Sequence, residues 1–147
     1  MASCGKRACA LSCSCGGDKV ATMLTRMYAD YVVRAETDAA EAFTAYLSGY
    51  LAWVITKLLD LCPSSRPLIE PYLPSVDGQW TTKLAGLLAE VKELTSFRAT
   101  AHGKLRDIVD SSSGSQDRVR ANTPGAEDNE KLHEAIAFLE RCIRAAR

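Results

Sequence analysis

The chain has 147 residues, 47% of them apolar and 24% charged, and its 18 basic and 18 acidic side chains leave no formal net charge. That length and balance fit one water-soluble domain with a single core. Basic and acidic residues are interleaved, which excludes a general nucleic-acid binder, dependent on clustered Lys and Arg against phosphate, and equally a purely electrostatic membrane binder.

Residues 1–17, MASCGKRACALSCSCGG, place Cys4, Cys9, Cys13 and Cys15 among Gly, Ser and Ala. With little to bury, the stretch reads as a flexible tail. Its thiols could ligate a soft metal, but the C-x4-C-x3-C-x-C spacing is not that of a zinc finger and no His lies near. They could carry acyl chains beside Lys6, Arg7 and Lys19, and two chains anchor where one does not. Ala2 excludes myristoylation, which needs Gly there. The third reading is a tail whose cysteines do nothing in the folded state. No uninterrupted apolar run follows Lys6 and Arg7, so no secretory signal is read. The chain is expected to be intracellular and cytoplasmic, with peripheral membrane association only through such lipidation. In that compartment six cysteines do not imply a disulfide framework.

After Gly16-Gly17, residues 18–35 read as a first amphipathic helix. Val20, Leu24, Met27, Tyr31 and Ala35 share one face, widened by Met23, Tyr28 and Val32. The junction Glu36-Thr37 holds no Gly or Pro, so one long helix over 18–61 competes with a break near 36–38; the break is favoured.

Residues 38–61, DAAEAFTAYLSGYLAWVITKLLDL, are the most apolar part of the chain. Asp38 and Glu41 form a helix start of the capping-box type. Phe43, Leu47, Leu51, Val54, Leu58 and Leu61 recur at helical steps as one face, and Tyr46, Tyr50 and Trp53 form a second row beside it. Pro63 ends the helix. The uncharged window is short for a membrane span and carries Thr44, Ser48 and Thr56. The sequence therefore predicts a helix enclosed by the rest of the domain, or one whose aromatic row meets a partner. Ser48-Gly49 offers a place for close helix approach, at the cost of a weak point in the helix.

Residues 62–76, CPSSRPLIEPYLPSV, hold four prolines that forbid a regular helix longer than a turn. Leu68, Ile69, Tyr72 and Leu73 are expected to pack down as a lid over one end of a bundle. From Asp77 to about Asp110 a long helix is predicted, with Trp80, Leu84, Leu87, Leu88, Val91 and Leu94 as a stripe that Ala101, Leu105 and Ile108 continue; a split near Phe97–Gly103 is the alternative. Residues 111–122 read as a flexible Gly/Ser-rich linker. Thr123-Pro124 opens a last helix, buried through Leu132, Ala135, Ile136, Leu139 and Ile143.

The fold class is therefore all-α: about four main helices bundled around a central apolar helix over 38–61, with residues 18–147 as one domain behind a flexible tail. An apolar helix wrapped by amphipathic ones resembles apoptosis-regulator-type bundles in architecture; the chain carries none of that family's motifs, and the likeness implies a shape and no activity.

Catalytic patterns are sparse. There are two histidines. Glu130 and His133 make a single Glu-x-x-His unit, where a di-iron bundle needs two. His102 has no Cys, Ser or Asp arranged with it as a triad. Cys62 and Cys142 read as buried structural thiols. The sequence thus predicts no catalytic residues, no cofactor and no nucleic-acid partner. It points to a non-enzymatic protein–protein interaction module, a helical adaptor or regulator that presents a groove or helical face to another protein or to itself through Tyr46, Tyr50 and Trp53. The rival readings are a thiol-tethered or metal-binding protein acting through the N-terminal cysteines, and a small-molecule binder using the bundle interior.

Overall fold

A computed structural model of the protein describes residues 17–37, 42–112 and 126–147. Five helices pack as a bundle, and no strand occurs among the described residues: α1 (Gly17–Thr37), α2 (Ala42–Leu61), α3 (Arg66–Ile69), α4 (Trp80–Ser112) and α5 (Ala126–Ala145). The expected all-α class and central helix are both present. Asp38 and Glu41, Thr123 and Pro124, and most of the expected linker lie outside the described residues, whereas Ser111 and Ser112 at its start belong to α4.

α2 is central because α1, α4 and α5 all pack on it. α1 and α2 pack along each other, so a single helix over 18–61 is ruled out. The face α2 buries differs from the expected one. Thr44, Ser48, Ala52, Ile55, Thr56 and Leu59 are buried; of the expected row Leu58 is buried, Leu47 and Leu51 are half-buried, and Val54 and Leu61 are exposed. The reason is spatial. A helix flanked on both sides must let its neighbours' backbones come close, and small side chains permit that. At Gly49 a Cβ would stand 2.8 Å from Leu94 Cβ and 3.3 Å from the Glu90 carbonyl of α4. The hydroxyls cost little there because they bond locally or across the seam. Thr56 Oγ1 donates to the Ala52 carbonyl at 2.7 Å, and Ser48 Oγ donates to Glu90 Oε2 at 2.6 Å.

α1 turns part of its expected face, Leu24, Tyr28 and Val32, to the core and the rest to the rim. Ala21, Thr25 and Tyr28 are buried, with Leu24 and Val32 packed against the core, whereas Val20, Met23 and Met27 are exposed. Thr25 Oγ1 satisfies itself on the Ala21 carbonyl at 2.8 Å. Burial holds the Tyr28 phenol well above its ordinary range, and the negative charge of Glu90 adds to this.

The proline-rich connector packs down only in part: Ile69 and Leu73 are buried, Leu68 is half-buried and Tyr72 is exposed. It winds through a 3-10 turn, the single turn α3 and a second 3-10 turn, and seats Ile69 and Leu73 in the core. Ser65 turns the chain at the end of α2, its hydroxyl donating to the Cys62 carbonyl at 2.7 Å. Cation–π stacking fixes the lid to both neighbours: Arg26 of α1 lies 4.8 Å from the Tyr72 ring centre, and Arg66 lies 4.3 Å from that of Trp80 at the start of α4. Asp77 precedes α4 by a short turn, its carboxylate accepting from the Gln79 N–H at 2.9 Å and the Thr82 hydroxyl at 2.8 Å. These bonds hold the Asp77 carboxyl below its ordinary range.

Candidate functional site

α4 is one unbroken helix of 33 residues, so the alternative split near Phe97–Gly103 does not occur. Leu84, Leu87, Val91 and Leu94 recur at alternating three- and four-residue steps, and positions 98, 101, 105 and 108 extend the same heptad phase. The first four are fully buried against α2 and α5. The continuation is not: Leu105 is 59% and Ile108 62% exposed, and Phe97, on the flank of the row, is 47% exposed. One stripe is thus core from Leu84 to Leu94, partly covered at Arg98 and Ala101, and exposed at Leu105 and Ile108.

The change comes where the neighbours stop. α2 runs antiparallel to α4, with Tyr46 near its start against Phe97 (ring centres 5.2 Å apart) and Gly49 against Leu94. α5 is antiparallel too, since Asp128 near its start accepts from Arg98 Nη2 at 3.2 Å and Glu140 near its end accepts from Lys92 Nζ at 3.0 Å. Arg98 occupies the heptad position at the boundary, with only 11% of its side chain exposed. Beyond it α4 runs on to Ser112, about 21 Å at the helical rise of about 1.5 Å per residue.

The aromatic row read from the sequence leads to this bare face. Trp53, Tyr50 and Tyr46 are half-buried and packed against the core. They form a ladder, Tyr50–Trp53 at 5.9 Å and Tyr46–Tyr50 at 4.8 Å edge to face, which Phe97 extends onto α4. Hydrogen bonding with Tyr50 raises the Tyr46 phenol above its ordinary range, with burial adding to it. Trp53 Nε1 is buried with no hydrogen-bond partner among the described residues. Phe97 was missed in the sequence because nothing in the local pattern says that it meets Tyr46 from another helix.

The remaining candidates do not converge. Glu130 and His133 are exposed on α5. His102 is half-buried on the projecting part of α4. Among the described residues no three His, Cys, Asp or Glu side chains stand together as a metal site. Cys62 is buried and Cys142 half-buried; burial pushes the Cys142 thiol up. Cys4, Cys9, Cys13 and Cys15 lie outside the described residues. The interior itself is filled by Ile55, Ile69, Leu84, Leu87, Leu132 and Leu139, all fully buried. Among the described residues no helix is long and apolar enough to cross a membrane. No known protein family, characterised protein or solved structure matches this chain.

Proposed function

We propose that the protein is a helical interaction module that works by offering an apolar helical face to another polypeptide. The observation that carries this reading is the heptad stripe of α4, which leaves the bundle with its phase intact and with Leu105 and Ile108 more than half exposed. An apolar heptad seam sustained past the described ends of α2 and α5 is what a helix-in-groove or coiled-coil contact uses. The ladder of Tyr46, Tyr50 and Trp53 extends that surface back onto α2.

Site-specific photo-crosslinking in living cells tests the reading. A photoreactive residue at position 108 is expected to give a discrete crosslinked polypeptide, while the same group at Ala85, exposed on the part of α4 inside the bundle, gives none. Equal or absent crosslinking at the two positions would overturn it.

A further inference from the structure

We infer that residues 1–27 dock the protein on a membrane: the exposed row of α1 lies on an anionic lipid surface, and Cys4, Cys9, Cys13 and Cys15 take long-chain acyl groups there. This does not depend on the reading of α4. Val20, Met23 and Met27 recur at steps of three and four, so they share one side of α1. All three are exposed, Met23 by 52%. Ala21, Thr25 and Tyr28 seat the helix on the core from its other side. The row is therefore not needed to hold the bundle together, and grouped apolar side chains on a rim mark a contact surface.

Charge and chemistry point to lipid as the occupant. Through Met27 the chain carries four basic side chains, Lys6, Arg7, Lys19 and Arg26, against the single acid Asp18; the rest holds 14 of the 18 basic and 17 of the 18 acidic ones. A basic stretch beside an apolar row suits an anionic leaflet. Either feature alone binds weakly, and one acyl chain anchors only marginally, so stable attachment takes several signals together. The four thiols supply them, all within sixteen positions before Val20. In the reaction a cysteine thiolate attacks the carbonyl carbon of a long-chain acyl thioester. The new S–acyl bond forms as the donor's C–S bond breaks. The donor leaves as a thiol that takes up the cysteine's proton, and nothing is oxidised or reduced. α1 begins at the lid end of the bundle, where Arg26 stacks on Tyr72. The exposed part of α4 projects from the opposite end, and α1 and α4 each pack along α2, so a membrane under α1 leaves the α4 face open.

Metabolic labelling of cells expressing the full chain with an alkyne-tagged fatty acid tests this. Label is expected on the wild type and should come off with neutral hydroxylamine, which cleaves thioesters. Cys4→Ser, Cys9→Ser, Cys13→Ser and Cys15→Ser together should remove it, with Cys62 and Cys142 left in place. Met23→Glu combined with Met27→Glu keeps every thiol. It should lower both labelling and binding of the purified chain to vesicles of equimolar phosphatidylserine and phosphatidylcholine by at least about 10-fold, with the melting temperature unchanged. An unlabelled wild type, label that survives the four serine substitutions, or a double-glutamate variant that labels and binds vesicles like the wild type would each overturn the inference. Equal binding to vesicles of phosphatidylcholine alone would overturn the anionic surface. None of these outcomes bears on crosslinking from position 108, so the reading of α4 stands or falls separately.

Discussion

The two halves of α4 carry nearly the same pattern and meet opposite fates. Leu87 and Val91 have no exposed surface, while Leu105 and Ile108, in the same phase farther along, keep more than half of theirs. Periodicity therefore states that a helix has an apolar face; it does not state what covers that face. In the first half the cover is supplied by α2 and α5. Near Arg98 lie the first described turns of both, and the charged side chain at that heptad position turns aside to Asp128. The stripe then runs on into a region where the chain supplies no helix among the described residues.

The sharpest way to break this comparison is to truncate the same residue type on each side of Arg98. Leu87→Ala removes a fully buried side chain and should cost about 2–5 kcal/mol, depending on how far α2 and α5 collapse into the space. Urea unfolding followed by circular dichroism measures it. A loss below about 0.5 kcal/mol, the range of ordinary surface changes, would mean that the first half of α4 is not core.

The next effect tests why α2 can lie at the centre at all. Gly49→Ala puts a methyl 2.8 Å from Leu94 Cβ, an atom fixed to the α4 backbone and unable to swing away. Helix propensity alone favours the change by about 1 kcal/mol. The forced separation of α2 from α4 should reverse that sign and destabilise by about 1–3 kcal/mol. It should also lengthen the Ser48–Glu90 hydrogen bond of 2.6 Å. A stabilised variant would show that the two helices have room to spare.

Much of the architecture was legible in the chain. The uncharged window of α2, the four prolines after it and the stripe from Leu84 to Leu94 gave the class, the centre and the lid. Which sides of α1 and α2 face inward was legible only in part: Tyr28 and Leu58 are buried and Leu24 and Val32 pack on the core, as read, but the centre of each buried face was not. The buried faces hold Thr25, Ser48 and Thr56, which a hydropathy pattern scores as polar. Their hydroxyls are satisfied by carbonyls one turn back or by Glu90, a fact of local geometry invisible in composition. The large apolar residues that looked like the core face of α1, Val20 and Met27, are on its rim. For the candidate site, the row of Tyr46, Tyr50 and Trp53 could be read from its spacing. Its continuation through Phe97 could not, because that contact joins residues from different helices.

A smaller effect separates the interior polar cluster from ordinary surface titration. The Tyr28 phenol is raised by burial and by Glu90, so the folded state holds its proton more tightly than the unfolded chain, where the group titrates near the usual 10. Stability linked to this proton is complete below about pH 10 and is lost as pH rises beyond it, because the unfolded chain releases the proton first. Tyr28→Phe lacks that proton. The stability difference between wild type and variant, from denaturant melts at several pH values, should be constant below pH 10 and shift against the wild type above it. A difference that stays flat through the alkaline range would place Tyr28 in water.

The smallest expected effect completes the pair begun at Leu87. Leu105→Ala deletes the same atoms from the same helix, but the leucine is 59% exposed and its replacement is the best helix former. In dilute protein the change should alter unfolding free energy by no more than about 0.5 kcal/mol. A large loss would show that Leu105 is covered within the chain, and the contrast between the two halves of α4 would disappear with it.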